Sequence, residues 1–426
     1  MNTDARRLAA VDAQTYWMSA KIPNDQFVLF VFDGVVRVDN ALVEDLRVRA
    51  AACPDLCLRI IDDQPWRYPS WVTGPVEPSQ FVVHRDDAGA HWDACLAAVA
   101  RLAETQLDPR AAAWRLHLFT PVLGAPAGGP AVTVAVLQLA HALADGVRTA
   151  QLAGWLFGRP EPVPPVPSRR RRRVLAAGVA AARAESRLTR DIEAGLVPAP
   201  PPSRPALLTN ARPDGPRRIR TLVVDRAVLR RRSTVTVAAL LAIGTALAGH
   251  LRARGEDTAA LGAEVPMAKP GLRLSHNHFR NIGVGLYPGE PEAVRAARIA
   301  ADLRGGPQRA QHPAALAADD ALAAVPAGLL RWGVGKFDPR VRSALVTGNT
   351  VVSSVDRGPA DLRLGAAGVL LTASYPALSP MMGLTHGVHG LGDTVALSVH
   401  AADSVLAASE LDDYVARLRH ALGAPP

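Results

Sequence analysis

Cysteine is scarce in this sequence: Cys53, Cys57 and Cys95 are the whole set. An odd, sparse complement speaks against a disulfide framework and fits a reducing compartment. Cys53 and Cys57 are spaced C-x3-C with no second pair, which does not make a zinc site; they read as helix-end residues. Aromatic residues reach only 5%, too few for an extended stacking surface for bases. Lysine is nearly absent, with only Lys21, Lys269 and Lys336, so the formal charge of +9 is carried by arginine. No recognition motif accompanies that charge, and nucleic acid is not an expected partner. Long apolar runs are missing too: Val132 to Ala144 and Ala238 to Gly249 fall short of the roughly 20 residues of a membrane span. The start, MNTDARRLAAVDAQTYW, has no apolar core of secretory type. The expectation is a cytoplasmic protein whose membrane contact, if any, is peripheral.

Ligand sets for ions and phosphates are equally thin. His276 with His278, and His386 with His389, have no carboxylate or cysteine at useful spacing, so no metal is expected. The loop Gly124 to Pro130 is glycine-rich but lacks the lysine and Ser/Thr of a phosphate loop, and reads as a hairpin turn.

What is present is the composition of a folded protein, 49% hydrophobic and 20% charged over 426 residues, long enough for two domains. The boundary is Pro160 to Pro167, followed by Ser168 and five arginines, Arg169 to Arg173. Proline there precludes a helix or a central strand. A helix over 174–194 and a second proline-rich stretch, Pro198 to Pro205, complete a crossover. The organisation read from this is a domain over 1–159, a linker over 160–217 and a domain over 218–426. Both outer parts mix periodicities. Helices are expected over 39–53, around 92–102, over 237–254 and at the close, where Leu411, Val415, Leu418 and Leu422 share a face. Strands are expected over 26–32, 114–120, 131–140, 219–224, 350–355, 383–388 and 393–400. The fold class is therefore α/β (α+β), in two similar halves.

One constellation carries chemistry. The apolar strand Ala131 to Ala140 stops at His141-Ala142-Leu143-Ala144-Asp145-Gly146. A histidine at the end of a buried strand is held rigidly, and a neutral imidazole there can take a proton, as a general base must. Asp145 and Gly146 form the turn that follows, the aspartate requiring a cationic or N–H partner if buried. Spacing alone does not separate a base from a structural histidine before a turn.

Order and spacing along nearly the whole chain resemble the bacterial wax ester synthase/diacylglycerol acyltransferase (WS/DGAT) family, within the CoA-dependent acyltransferase and condensation-domain superfamily. The matching residues begin with Leu8 to Asp12, Tyr16-Trp17 and Phe32-Asp33-Gly34, then Trp66 to Trp71, Leu107 to Arg110 and Ala113 to Leu118. The family's H-H-x-x-x-D-G site is similar to Ala140-His141-x-x-x-Asp145-Gly146. In the second half Arg280-Asn281-Ile282-Gly283-Val284, Val351 to Val355 and Met382-Gly383-Leu384 resemble family strands.

The resemblance implies two chloramphenicol-acetyltransferase-like domains with a substrate tunnel between them. His141 would be the base, Asp145 a structural residue held by an arginine, and Gly146 a point of close substrate approach. Substrate-binding positions fall at Trp114, Asn281, Ser353 and Ser354, although the two serines also read as plain strand residues. Acyl-CoA would be the co-substrate, with no other cofactor, and a hydroxyl-bearing lipid or alcohol the acceptor. Arg169 to Arg173 would either bind CoA phosphates or the heads of an anionic membrane or lipid droplet, or form a solvated run beside the linker.

The sequence departs from the family pattern at Ala140, at Ala112-Ala113-Trp114 for Pro-Leu-Trp, at Thr236-Val237 for Asn-Asp, and at Ser354-Val355-Asp356-Arg357 for Asn-Val-Pro-Gly. Three functions remain: transfer of a fatty acyl group from CoA to diacylglycerol or a long-chain alcohol, transfer involving a polyketide or carrier-bound substrate, and acyl-CoA or lipid binding without turnover.

Overall fold

The structure, a computed structural model, describes residues 5–168, 173–231 and 233–423. Two six-stranded sheets organise it. The first runs, edge to edge, Arg363–Leu364, Ala367–Ser374, Gln26–Phe32, Ala131–Leu139, Trp114–Leu123 and Phe81–His91. The second runs Phe279–Gly285, Gly262–Ala268, Thr350–Asp356, Leu384–Leu391, Thr394–Ala402 and Arg217–Asp225. This is the mixed α and β, two-sheet architecture expected.

The strand that ends at the histidine is buried from Val132 onward. Its Val and Leu content suits a ladder covered on both faces. It pairs antiparallel with Gln26–Phe32 on one side, Gln26 opposite Leu139, and with Trp114–Leu123 on the other, Trp114 opposite Leu139. The helix Gly146–Leu156 then turns back, capped by Asp145, whose carboxylate accepts from the Arg148 N–H.

In the second half the helix Val235–Arg252, largely buried, packs against the closing helix Ala408–Leu422 and forms the core with the sheet. By length and composition it is the one single helix among the described residues that could cross a membrane, but 72% of it is buried inside the protein. That is a core helix. The crossover helix Val174–Glu193 lies against the helix Pro313–Ala324.

The division at residue 218 is less clean than the proline stretches imply. Ala367–Ser374 belongs by sequence to the second half but pairs antiparallel with Gln26–Phe32 of the first sheet, Thr372 opposite Phe30 and Ser374 opposite Val28. The physical reason is that Gln26–Phe32 is buried along its length, so its second edge needs a ladder partner. The apolar Val369-Leu370-Leu371 segment supplies it.

Candidate active site

His141 sits two residues beyond the end of its strand, in the turn leading to the helix Gly146–Leu156. It keeps some solvent contact, yet protein surrounds the ring closely enough that burial pushes its pKa below the usual histidine value, partly offset by the carbonyls of His141 and Ala144 and by the Asp145 charge. At neutral pH the ring is uncharged. The side-chain nitrogen of Gln26 lies 3.2 Å from Nδ1 and 3.5 Å from Nε2. Near-equidistance places it beside the ring rather than along either lone pair, so Gln26 seats the imidazole without dictating which nitrogen carries the proton. Gln26 is itself fixed, donating to the Ala144 carbonyl at 2.9 Å and accepting from Thr149 Oγ1 at 2.9 Å. Replacing Gln26 with Leu is expected to lower kcat about tenfold with little change in KM, since it loosens the ring rather than the substrate; steady-state kinetics with the acyl donor in excess checks this.

Asp145 has the arginine that the resemblance implied. Arg273 of the second half donates from Nη1 to Oδ2 at 2.8 Å and from Nη2 to Oδ1 at 3.2 Å. The His278 N–H adds a further hydrogen bond to Oδ2, at 2.8 Å. Burial alone would raise the carboxyl pKa, but the Arg273 hydrogen bonds and charge and the two backbone N–H groups outweigh it and hold it below the ordinary carboxylate value. Asp145 does not titrate near neutrality and acts as a clamp.

The segment from Arg273 to His278 is inserted against the histidine loop through further contacts. Asp12, buried in the first helix, accepts from the N–H groups of His276 and Asn277 at 2.9 and 2.8 Å. The Asn277 side chain donates to the His141 carbonyl at 2.8 Å, and the His276 Nδ1 lies 2.8 Å from the Leu143 carbonyl. Beneath the loop, the fully buried Arg148 pairs with Asp55. Gly146 meets the second half directly, since a Cβ there would lie 3.2 Å from Val355 Cγ2.

The remaining expected positions divide. Ser354 shares a hydrogen bond with Thr236, 2.8 Å between the hydroxyls, and both line a cavity of about 480 Å³ with Arg226, Arg230 and Val388. Ser353, its neighbour on the same strand, is partly buried and lines none of the five cavities described for this structure. Asn281 is exposed, bonds to Glu264 and lines a cavity of about 270 Å³. Trp114 is not placed to touch a substrate: it is 0% exposed, donates to the Leu56 carbonyl at 2.7 Å and packs edge-on against Phe81. A ring that large at the start of a central strand is core, which is where its apolar area belongs.

His141 is half-buried and is not among the residues lining the five cavities described. Phe279 stacks on the imidazole at 5.8 Å and 16°, with Gln26 beside the ring. A void of about 300 Å³, mostly apolar, is walled by Ser275 and His278, on either side of His276 and Asn277 that grip the loop.

Arg169 to Arg172 lie outside the described residues, so the proposed anion run has no structural account here. His386 is a core residue between Thr350 and Tyr414, and no group of three metal-type ligands occurs among the described residues. Cys53, Cys57 and Cys95 are buried and unpaired. Gln26, Asp12, Arg273 and Asn277 are absent from the sequence reading of the site. A buried aspartate on the Leu8 to Asp12 motif was the one available signal.

No family model and no curated protein matches the sequence. Among solved structures the chain is similar to the wax ester synthase/diacylglycerol acyltransferase from Marinobacter aquaeolei VT8, at 18% identity over 98% of this chain and 100% of that one, TM-score 0.60. It is similar to the first condensation domain of the CDA synthetase, at 16% identity over 100% and 98%, TM-score 0.63. It is also similar to the starter condensation domain of rhizomide synthetase RzmA, in a mutant solved with C8-CoA and Leu-SNAC, at 15% identity over 98% and 94%, TM-score 0.61. Such identities establish a shared fold, that of the condensation domains and the WS/DGAT enzyme, over essentially the whole chain.

Proposed function

We propose that this protein transfers an acyl group from a thioester, acyl-CoA, to a hydroxyl, with His141 as the base. The observation that carries the reading is a neutral imidazole at the stop of a buried strand, in a loop gripped from the other half through Asp145 and Arg273. The uncharged ring takes the hydroxyl proton as the oxygen attacks the thioester carbon; when the C–S bond breaks, the imidazolium returns the proton to the thiolate. Asp145, paired with Arg273, orients the loop and stays ionised throughout. Two fold neighbours support the donor: one is named an acyltransferase and the other was solved with C8-CoA.

The finer reading is esterification of a diacylglycerol or long-chain alcohol in the cytoplasm, supported by the apolar void beside His278. Peripheral lipid contact is supported by Leu329 and Trp332, exposed near Lys336. A carrier-bound substrate is the second reading, favoured by the likeness to condensation domains. The test is release of free thiol from long-chain acyl-CoA with an alcohol, with diacylglycerol, and from the matched acyl carrier protein. Release from the carrier alone would move the assignment to the second reading.

Phe279 stacks on one face of the ring, so an acceptor that reaches the imidazole passes beside it. Replacing Phe279 with Ala is expected to lower KM for bulky acceptors about three- to tenfold, while the smallest acceptor gains little. Saturation curves across a size series of acceptors measure this.

A further inference from the structure

The strand Thr350–Asp356 carries a second feature that the reaction above does not use. Beyond its end, the Arg357 N–H continues the ladder by donating to the Gly390 carbonyl at 2.8 Å. Side chains alternate along a ladder, so Arg357 shares a face with Val355. That face is the one turned to the first half, because Val355 meets Gly146 there. His389, paired opposite Val355, lies on the same side: a Cβ at Gly387 would strike both the His389 ring and the Ser374 carbonyl of the first sheet. Arg357 and His389 are thus on the seam between the sheets, about 7 Å along the strand from the contact with the histidine loop.

Both are buried, Arg357 at 4% and His389 at 1% exposure. Nε and Nη1 of Arg357 and Nδ1 of His389 have no hydrogen-bond partner. Among the described residues no carboxylate pairs with Arg357; the adjacent Asp356 is engaged by Arg226. Burial pulls the arginine pKa down to about 9, so it remains a cation at neutral pH, and burial together with that cation holds His389 neutral. An enclosed guanidinium without a counter-charge is costly, and its planar fork matches a carboxylate.

Building on the transferase reading, we propose that Arg357, with Nδ1–H of His389, anchors a carboxylate on the acceptor, so that of the acceptors considered the long-chain alcohol is the one used, in the form of a hydroxy acid. The shared chemistry with CoA is an oxyanion, and the experiment separates the two sources.

Thiol release from octanoyl-CoA is measured with ω-hydroxydodecanoate and with its methyl ester, using the full chain. The wild type is expected to favour the acid. In Arg357→Met the ratio of kcat/KM for acid over ester should fall about tenfold or more, with part of it kept in Arg357→Lys, as loss of a buried charged hydrogen bond implies. A thermal melt establishes that each variant is folded. A wild type that prefers the ester, or a ratio unchanged in the variant, overturns the proposal. If neither acceptor releases thiol, the transferase reading fails, and calorimetric binding of ω-hydroxydodecanoate decides the anchor by itself. Affinity lost in the Met variant supports it; affinity retained overturns it. Adenosine bisphosphate, the phosphorylated end of CoA, is titrated in parallel. If its affinity falls in the variant while that of the hydroxy acid does not, the anion belongs to CoA and the acceptor assignment is overturned.

Discussion

Replacing His141 with Ala is expected to cut thiol release from acyl-CoA by about 10² to 10⁴-fold, the range spanned by a positioned general base. The two nearest candidates in the motif and the clamp do not offer a free imidazole. Ala140 stands where the family motif has its other histidine, and His276 is engaged by the Leu143 carbonyl. The variant should fold normally, because the contacts that fix the loop run through Asp145, Asn277 and Arg148 and not through the ring. The pH profile gives an independent reading. Burial lowers the pKa of His141, and the neutral form is the active one, so kcat/KM should be level at neutral pH and fall only as pH drops through a value below that of free histidine. An acid limb at or above the ordinary histidine range would contradict the enclosed ring. Activity that survives in the alanine variant would remove His141 from the chemistry altogether.

Replacing Asp145 with Asn should cost about 3 to 5 kcal/mol, because it leaves the Arg273 guanidinium without its counter-charge in a site that is largely closed. Asparagine keeps an oxygen for the Arg148 N–H, so the helix cap survives, and the loss comprises the ion pair together with the His278 N–H, whose acceptor Oδ2 becomes a donor. The double variant with Arg273→Met should recover part of the loss, and the cycle isolates the coupling. The pH dependence has a definite sign. The folded carboxyl lies below its ordinary value, so its contribution is complete above that ordinary value and disappears as pH falls through the lower, folded one. Denaturant melts across that acid range should show a decline in the wild type that the asparagine variant lacks. Turnover should fall with stability, since His141 rides on the same loop.

How much of this could be read beforehand depends on the range of the interaction. The histidine strand was legible because an unbroken apolar run is a local signal; the structure ends it at Leu139, one residue short of the expected end. The turn that carries His141 followed directly from it. Arg273 was not legible, because nothing in Gly271 to His278 marks one arginine out of the many in this chain as the partner of an aspartate 128 residues away. Gln26 was visible only as the start of a strand, its role depending on a ring brought alongside by sheet pairing. Trp114 misled for a related reason: an aromatic residue inside a motif looks the same whether it faces ligand or core, and only burial decides. Ala367–Ser374 escaped because its partner strand lies in the other half of the chain.

That borrowed strand makes the molecule a clasp and not two beads on a string. Phe32 and Val369 are neighbours in one ladder, and so the amino-terminal sheet is completed only after most of the polypeptide has been synthesised. Until then Gln26–Phe32 offers an open, apolar margin to any other chain, and closure has to wait for a very distant encounter, which slows folding. Cutting the protein at the proline-rich linker would leave a fragment with an unsatisfied edge and another with a strand that has nowhere to go.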